Sequence, residues 1–379
     1  MNVLIVVTHL LGTGHLTRAL TLGRAFAAAG HQVTVASGGM PPRLLDHKGL
    51  TFLQLPPIRS DGTNFTRLLD GDGQEVAEAT FTARQTALIG ALLPAPDILI
   101  SELFPFGRRV LSAEFLGLLG AAVALPRPPV ILASVRDILA PPSKPSKAAR
   151  ADDIIARFYD AVLVHSDPAA IRLEQSWPVS EMLQARLRYT GYVAPPAAGP
   201  HAMQLGKDEV LVSAGGGGVG AALFEGAIKA AHLMPSRRWR LLVGGRDATE
   251  RVRALEQLNP PKGTIIEPAR PEFRQMLRHA AASVSMCGYN TALDLMQAGT
   301  PAVLVPFDDG AEVEQTLRAE SLAQMPGIEV LRSGEMTPRA LYDAVERVMQ
   351  VGRRVGSDLG FDGAAQSVRL AVEMAKARR

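Results

Sequence analysis

The segment NVLIVVTHLLGTGHLTRAL, residues 2–20, decides the fold, because it joins three structural elements without a linker. Its Val/Ile/Leu run predicts a buried strand, its Gly-Thr-Gly predicts a tight turn, and the Leu- and Ala-rich end predicts a helix. Strand, glycine turn and helix in this order are typical of a doubly wound α/β domain. The turn also brings His15 and Arg18 to the end of the strand, where such sheets bind ligands.

Short apolar runs alternate with longer helical patterns along the rest of the chain, which predicts parallel sheets covered by helices on both faces. The predicted strands are 3–7, 32–37, 97–101, 129–134, 160–166, 209–215, 239–245, 263–268, 282–288 and 301–307. The alternation breaks at 191–209, where Pro and Gly are dense, and a second glycine turn follows the next strand. We therefore predict two doubly wound, Rossmann-like domains facing across a cleft, over 1–195 and 196–360, with a helix near 361–379 that could pack back on the first.

The composition is that of an ordinary globular chain, with 379 residues, 47% hydrophobic and 20% charged, and a net charge of +3. Charges of both signs are spread along it, so we expect no nucleic-acid partner, while the small basic excess fits an anionic substrate or membrane surface. The single cysteine, Cys287, allows neither an intrachain disulfide nor a cysteine-based zinc site, and is expected to be buried. We see no signal peptide and no membrane span, so we expect a cytoplasmic location, with the inner face of the membrane left open.

The second glycine turn, within Ser213–Gly220, has more glycines than a turn requires. Gly215, Gly216, Gly217 and Gly218 would let backbone N–H groups approach a ligand in front of the positive end of a helix, an arrangement that suits a phosphate. The alternative is a tight left-handed turn, which needs one glycine. The motif is neither a Walker loop nor a dinucleotide fingerprint. We interpret it as a site for a diphosphate.

A third motif is SMCGYNTALDLMQAGTPAVLVPF, residues 285–307. A strand is predicted to end at Gly288, and Asn290 is predicted to cap the helix that continues through Thr291. Asp294 follows near the start of that helix, where its carboxylate could accept hydrogen bonds from ribose hydroxyls or could instead complement the helix dipole. We assign all four residues to donor binding.

The next helix carries Glu314, Gln315 and Arg318 close together. Carboxylate and amide side chains suit the hydroxyl groups of a sugar, so Glu314 and Gln315 are candidate contacts for one. The alternative is a solvated helix face with an ion pair between Glu314 and Arg318.

These motifs together resemble the donor-binding half of GT-B glycosyltransferases, in particular the family 28-like peptidoglycan N-acetylglucosaminyltransferase. The shared features, in order over residues 209–325, are Gly215–Gly220, Gly288, the acidic Asp294, AGTPAVLVPF at 298–307 and the pair Glu314 and Gln315. SELFPFGRR, SVRDIL, VHSDP and YTGYV in the first half are similar to a group of bacterial predicted glycosyltransferases. The resemblance implies an enzyme of class EC 2.4 that uses a nucleotide-sugar donor and needs no metal or other cofactor.

In GT-B enzymes the loop after the first strand faces the sugar, so the resemblance gives His15 the role of base for an acceptor hydroxyl. Asp137 could orient His15 or act as a base itself. The GxGHxxR pattern also occurs in the UDP-sugar hydrolase of pseudaminic acid synthesis, where the histidine serves a water nucleophile. A plainer alternative is that His15 caps the helix.

Further polar residues follow the predicted strands of the first half and should share one edge of its sheet. The acceptor-side candidates are Gly14, Arg18, Glu102, Arg136 and His165. Arg136 could bind an anionic acceptor or pair with Asp137. The DGD motif at 70–72 lies in a polar loop rather than after a strand, so we interpret it as a turn and not as a metal site.

We therefore predict a metal-independent, inverting glycosyltransferase that moves a sugar from a nucleotide sugar, favouring UDP, to a hydroxyl acceptor. The sugar, the acceptor (a small molecule or a lipid) and peripheral contact with a membrane are left open. The alternatives are a UDP-sugar hydrolase or epimerase on the same fold and a non-catalytic nucleotide-sugar binding protein. His15 argues against the last, because a binding protein needs no base.

Overall fold

The structure, a computed structural model, describes residues 1–41, 46–62, 64–215, 219–245, 247–308, 312–356 and 360–378. The chain forms two compact units, the first from Met1–Pro195 with Gly360–Arg379 and the second from Pro196–Leu359. Each unit has its own parallel sheet and its own hydrophobic core. The predicted pair of Rossmann-like domains is confirmed.

Within the described residues, the strands of the first unit are β1 (Asn2–Val7), β2 (Gln32–Ser37), β3 (Thr51–Gln54), β4 (Arg59–Asp61), β5 (Asn64–Leu69), β6 (Ile98–Glu102), β7 (Val130–Arg136), β8 (Ala161–His165) and β9 (Leu187–Tyr189). The main sheet has the order β3-β2-β1-β6-β7-β8-β9, and all of its pairs are parallel. Strands β4 and β5 form a separate antiparallel hairpin.

The helices of the first unit are α1 (Gly14–Ala28), α2 (Glu78–Gly90), α3 (Ser112–Val123), α4 (Pro145–Phe158), α5 (Glu181–Arg186) and, from the far end of the chain, α12 (Gly363–Arg378). They cover both faces of the sheet. Val3 and Ile5 belong to the core formed with α1 and α12, whereas Leu4 and Val6 belong to the core formed with α2, α3 and α4. Alternate residues of β1 are thus buried on opposite faces, which is why the strand is a continuous apolar run.

The second unit repeats this plan. Its described strands are β10 (Val210–Ser213), β11 (Trp239–Val243), β12 (Ile265–Pro268), β13 (Ala282–Ser285), β14 (Ala302–Leu304) and β15 (Ile328–Val330). They form one parallel sheet in the order β12-β11-β10-β13-β14-β15. Its described helices are α6 (Ala221–Leu233), α7 (Ala248–Glu256), α8 (Phe273–Leu277), α9 (Tyr289–Ala298), α10 (Glu314–Leu322) and α11 (Pro338–Val351).

In both sheets the strand order changes direction beside the first strand. Strand β1 lies between β2 and β6, and β10 lies between β11 and β13. Connections leave such a point in opposite directions and open a crevice at the carboxyl ends of the strands, where doubly wound sheets bind ligands. The turns after β1 and β10, and the ends of β6 and β13, are therefore the positions at which ligands are expected.

Every predicted strand is present, and the structure adds β3, β4, β5, β9 and β15. These extra strands are short or partly exposed and lack a continuous apolar run, as TFLQ at 51–54 shows. The DGD segment is a turn, as predicted, because Oδ1 of Asp70 accepts hydrogen bonds of 2.9 Å from the N–H groups of Asp72 and Gln74.

Candidate functional site

At the switch point of the first sheet, His15 meets Glu102. His15 lies in the first turn of α1, and Glu102 is the last residue of β6. Nδ1 of His15 lies 2.8 Å from Oε1 of Glu102. Arg18, one helical turn after His15, forms an ion pair with the same carboxylate, and its Nε lies 3.4 Å from Oε2. The N-cap residue Thr13 makes no side-chain capping bond, and His15 is engaged by Glu102 instead of capping the helix.

Burial and charge fix the ionisation of this group. Glu102 and Arg18 are each 2% exposed. Burial alone would raise the pKa of Glu102, but the positive charge of Arg18 and the hydrogen bond from His15 outweigh it and hold that pKa well below its usual range. Glu102 is therefore a carboxylate, and Arg18 is its counter-ion.

His15 stays neutral. Burial lowers the pKa of its imidazole to about 3, opposed by the hydrogen bond to Glu102 and assisted by the charges of Arg108 and Arg136. Nδ1 lies 2.8 Å from the Glu102 carboxylate and 3.1 Å from Nη2 of Arg18. A carboxylate only accepts hydrogen bonds, so we assign the ring proton to Nδ1, which leaves Nε2 with a free electron pair. Nε2 makes no hydrogen bond within the described part of the chain, and the side chain is 14% exposed. This imidazole can accept a proton from a bound hydroxyl group.

The other residues predicted to lie at this edge of the sheet do not contact His15 in the way that Glu102 does. Asp137 is buried and its Oδ1 accepts from the N–H of Ile138, so the orienting contact with His15 belongs to Glu102. Arg136 ends β7 and is partly exposed, and Gly14 begins α1.

His165 was assigned to the acceptor side, but the structure buries it completely at the end of β8. Its Nε2 lies 2.9 Å from Oγ of Ser134, which in turn donates to Oε2 of Glu102 at 2.6 Å. Ser134 could not be predicted, because a single serine inside an apolar strand forms no sequence pattern.

A second buried ion pair holds the turn that carries the histidine. Arg84 of α2 is fully buried and binds both carboxylate oxygens of Glu114 in α3, at 2.7 and 2.8 Å. The same guanidinium donates to Oγ1 of Thr8 at 3.2 Å and to the carbonyl of Gly38 at 2.8 Å, just beyond β1 and β2. A Cβ on Gly38 would lie 2.4 Å from Arg84 Nη2, so glycine is required there. Arg84 thus holds the residues that follow β1. Its role was not predicted from the sequence.

In the second unit, the glycine turn after β10 has a defined start and end. Gly215 has a φ of +80° and Gly220, which precedes α6, a φ of +101°. A Cβ on Gly220 would lie 2.3 Å from the Cβ of Ala214, so no other residue fits there. Gly216, Gly217 and Gly218, also predicted to bind the donor, lie outside the described residues.

Across the switch point, α9 begins at Tyr289 with Gly288 as its N-cap. The prediction that Asn290 caps this helix is wrong, because Asn290 and Thr291 lie inside its first turn and no side-chain capping bond is formed. A Cβ on Gly288 would meet no atom within 4 Å, so there is open space over this residue. Helix α9 ends before Gly299, in the left-handed conformation at φ 67°, as expected of a helix stop.

Asp294 forms an ion pair that the sequence did not indicate. Nε of Arg274, in α8, donates to Oδ1 of Asp294 at 2.7 Å, and Nη2 of the same arginine donates to Oε1 of Gln297. Burial raises the pKa of Asp294 to about 6, and Arg274 only partly opposes this. One oxygen of Asp294 is thus engaged by Arg274, and Oδ2 makes no hydrogen bond within the described part of the chain.

Gln315 joins two loops at this edge. Its Oε1 accepts from the N–H of Cys287 at 2.9 Å and from that of Phe307 at 3.1 Å, and its amide nitrogen makes no hydrogen bond within the described part of the chain. Arg318 is buried and donates to the carbonyl of Cys287 at 2.9 Å, and Glu314 is also buried. Cys287 is a buried free cysteine, as predicted.

Neither a metal cluster nor a membrane-spanning helix occurs in the described part of the chain. No group of three or more His, Cys, Asp or Glu side chains there is placed to hold a metal ion. None of its helices combines the length and apolarity needed to cross a membrane.

The second unit is similar to a known family of domains. Residues 211–355 match the glycosyltransferase family 28 C-terminal domain. The UDP-N-acetylglucosamine–N-acetylmuramyl-(pentapeptide) pyrophosphoryl-undecaprenol N-acetylglucosamine transferase of Brucella anthropi is 32% identical over 145 residues, which are 37% of this chain and 38% of the relative. The protein of the same name from Parasynechococcus marenigrum is 28% identical over 209 residues, 55% of each chain. The chain thus spans about half or less of the length of these relatives.

Solved structures extend the likeness to the whole chain. The MurG protein of Acinetobacter baumannii has a TM-score of 0.63 at 18% identity, covering 98% of this chain and 99% of its own. The calicheamicin glycosyltransferase CalG4 has a TM-score of 0.63 at 20% identity, covering 100% of this chain and 98% of its own. The GT-B fold and the family 28-like resemblance predicted from the sequence are confirmed.

Proposed function

We propose that this protein is a glycosyltransferase that moves a sugar from a nucleotide-sugar donor, favouring UDP, to a hydroxyl group of an acceptor. The observation that carries the proposal is the contact between His15 and Glu102 at the ligand-binding edge of the first sheet. It provides a neutral imidazole whose unprotonated nitrogen is not engaged by the described part of the chain. The family match over residues 211–355 supports donor binding by the second unit.

In the proposed reaction, the acceptor oxygen attacks the anomeric carbon while Nε2 of His15 takes the hydroxyl proton. The positive charge that forms on the imidazole is stabilised by Glu102, which already accepts from Nδ1. The bond between the anomeric carbon and the diphosphate oxygen breaks, and the nucleoside diphosphate leaves. A single displacement of this kind inverts the anomeric configuration.

For the donor, we propose that main-chain N–H groups hold the diphosphate without a metal, at the turn from Gly215 to Gly220 and over Gly288. The positive φ of Gly215 and the open space over Gly288 support this role. The second oxygen of Asp294 would accept from a ribose hydroxyl, and Glu314 with the amide nitrogen of Gln315 would bind the sugar.

For the acceptor, we propose a molecule with a large apolar group, such as a lipid-linked sugar at a membrane surface. The named relatives act on a pyrophosphoryl-undecaprenol. Here the side chains of Leu11, Phe65 and Val110 are exposed by 48%, 46% and 43%. The hairpin that carries Phe65 is tied to the turn after β1, because Ser60 donates to the carbonyl of Leu10. Arginine charges close by suit an anionic diphosphate link, and Arg108 donates to the carbonyl of Thr8.

The test is a panel of nucleotide sugars, with the release of nucleoside diphosphate and of free sugar measured separately. We expect slow release in water and a strong increase when a lipid extract is added, but not with soluble sugars or glycosides. A chelator should leave the rate unchanged. Rapid release of free sugar that no extract alters would favour the hydrolase alternative, and tight binding without turnover would favour a binding protein.

A further inference from the structure

Behind the His15–Glu102 pair, a hydrogen-bond chain runs across neighbouring strands of the first sheet. Ser134 of β7 donates to Oε2 of Glu102 at 2.6 Å, and its oxygen lies 2.9 Å from Nε2 of His165 in β8. Nδ1 of His165 lies 2.8 Å from Oγ1 of Thr190, just after β9. Ser134 and His165 are 0% exposed and Thr190 is 3% exposed, so this series of hydrogen bonds is shielded from solvent.

The direction of the protons in this chain follows from the charge at its end. Glu102 is a carboxylate and only accepts, so the Ser134 proton points to Oε2. The oxygen of Ser134 then accepts from Nε2–H of His165, and the unprotonated Nδ1 lies 2.8 Å from Oγ1 of Thr190, whose hydroxyl also lies 2.9 Å from the carbonyl oxygen of Gly191. Burial lowers the pKa of His165 to about 3, so this histidine is neutral and its one ring proton is on Nε2.

This chain secures the oxygen of Glu102 that His15 does not contact. On Oε1, His15 and Arg18 both donate. On Oε2, the contact with Arg18 Nε is long, at 3.4 Å, whereas that with Ser134 is short, at 2.6 Å. Ser134 therefore makes the shorter of these two side-chain contacts on Oε2 and helps to hold the carboxylate plane.

Neither residue is explained by packing alone. A buried hydroxyl and a buried imidazole each cost free energy unless they are hydrogen-bonded, and apolar residues would fill the same space without that cost. A satisfied polar chain fixes a single geometry, and this one ends on the carboxylate that orients the proposed base.

We propose that Ser134 and His165 are positioning residues, which hold Glu102 in the orientation that faces His15. This inference rests on the proposed function, since it requires His15 to act as the base. Ser134 acts directly on Glu102. His165 acts through Ser134, because its Nε2–H donates to the serine oxygen, so the serine hydroxyl donates to Glu102 and not to the imidazole.

The experiment measures kcat and donor KM for Ser134→Ala, His165→Leu and His165→Gln, using the nucleotide sugar from the panel that releases its diphosphate fastest in water. Ser134→Ala should lower kcat on the order of tenfold with an unchanged KM, because it removes a hydrogen bond to a charged group. His165→Leu should cause a smaller loss of kcat. His165→Gln, which keeps an N–H group to donate to Ser134, should recover most of that loss.

A matched control lies next to Glu102 on the same strand. Ser101 is 1% exposed and is bonded to Tyr159 and to the carbonyl of Phe104 instead of Glu102. Ser101→Ala should leave kcat within about twofold of the parent, although it also removes a buried hydrogen bond. Thermal unfolding and UDP binding are followed in all variants, and if His165→Leu fails to fold, Ser134→Ala against Ser101→Ala decides.

Equal kcat values for Ser134→Ala and Ser101→Ala would overturn the inference, as would a glutamine variant as slow as the leucine variant. His15→Ala separates this result from the proposed function. If His15→Ala is slow while Ser134→Ala is not, only the positioning role fails. If His15→Ala retains full diphosphate release, the base assignment itself fails and takes the inference with it.

Discussion

The two units share a sheet topology, but different groups lie at the carboxyl ends of their strands. In the first unit the edge is built from side chains, with His15, Arg18 and Ser134 all bonded to Glu102. In the second unit the edge also contains side chains such as Gln315, but its distinctive part is main chain, with Gly220 in a left-handed conformation and an uncovered Gly288 at the start of α9. The edge of the first sheet has a fixed arrangement of charged side chains. The edge of the second sheet exposes main-chain atoms that a ligand can approach closely.

This difference follows from two kinds of chemistry. A proton acceptor must be a side chain with a suitable pKa, and burial beside a paired carboxylate is what fixes its state and orientation. An anion is held well by several N–H groups at once, and side chains in the turn would only block them. The same fold can thus supply a reactive group in one unit and a binding surface in the other.

The largest effect that would test the contrast is expected for His15→Ala. Turnover should fall about a hundredfold or more, whereas UDP affinity should stay unchanged, because the residue serves the proton and not the donor. In the parent protein, kcat at saturating donor should be flat from about pH 5 to 8, since the pKa of His15 is lowered to about 3 and the base is neutral throughout. The control is His232→Ala, which removes an exposed histidine whose Nε2 lies 3.1 Å from the carbonyl oxygen of Asn259. A matching loss in both histidine variants would contradict the assignment.

Glu102→Gln should affect both activity and stability. The change leaves Arg18 buried without its counter-ion, which should cost about 3–5 kcal/mol in the free energy of unfolding. Turnover should fall by about ten- to a hundredfold because the imidazolium loses its carboxylate. Adding Arg18→Met should restore much of the stability, measured by chemical denaturation, and none of the activity. Recovery of both together would mean that the pair is structural only.

In the second unit, two glycine variants should behave differently. Gly220→Ala places a side chain at a φ of +101° and 2.3 Å from Ala214, and should lower the unfolding free energy by about 1–3 kcal/mol. Gly288→Ala has room for its methyl group and should leave stability unchanged. If the donor occupies that room, Gly288→Ala should still weaken UDP binding about tenfold by calorimetry. Unaltered UDP affinity would remove Gly288 from the donor site.

The smallest effect is expected at Asp294. Burial raises the pKa of its carboxyl to about 6, so the group is charged above that pH and protonated below it. A carboxylate that accepts from the ribose should bind UDP a few-fold more weakly as the pH falls through about 6. Asp294→Asn should bind UDP with an affinity that no longer depends on pH in this range. A pH dependence that persists in Asp294→Asn would have another origin.

The parts of the molecule that the sequence revealed are local in the chain. The strands, both glycine turns and the helix stop at Gly299 follow from periodicity and from residues a few positions apart. The contacts that could not be predicted from the sequence join residues that are far apart in the chain. Ser134 meets Glu102 across two strands, and Arg274 meets Asp294 across two helices. Neither pair has a fixed sequence spacing by which it could be recognised in a single sequence.

The wrong assignment of Asn290 has a related cause. Asparagine is a common helix cap, and one stands near the expected start of α9. The helix in fact begins earlier, because Gly288 already has the extended conformation of a cap, with φ −63° and ψ 152°. Capping is decided by backbone angles at one residue, which composition alone does not specify.

The return of α12 to the first unit has a consequence for how the chain is made. Val368 and Ala371 of this helix are buried in the core with Val3 and Ile5, and Arg378 donates to the carbonyl of Pro129. On the ribosome, the unit that starts first would be finished last, after all of Pro196–Leu359 has emerged. A nascent chain that stalls before α12 would leave this face of β1 covered by α1 alone. The second unit, contiguous in the chain, is the better candidate for expression by itself.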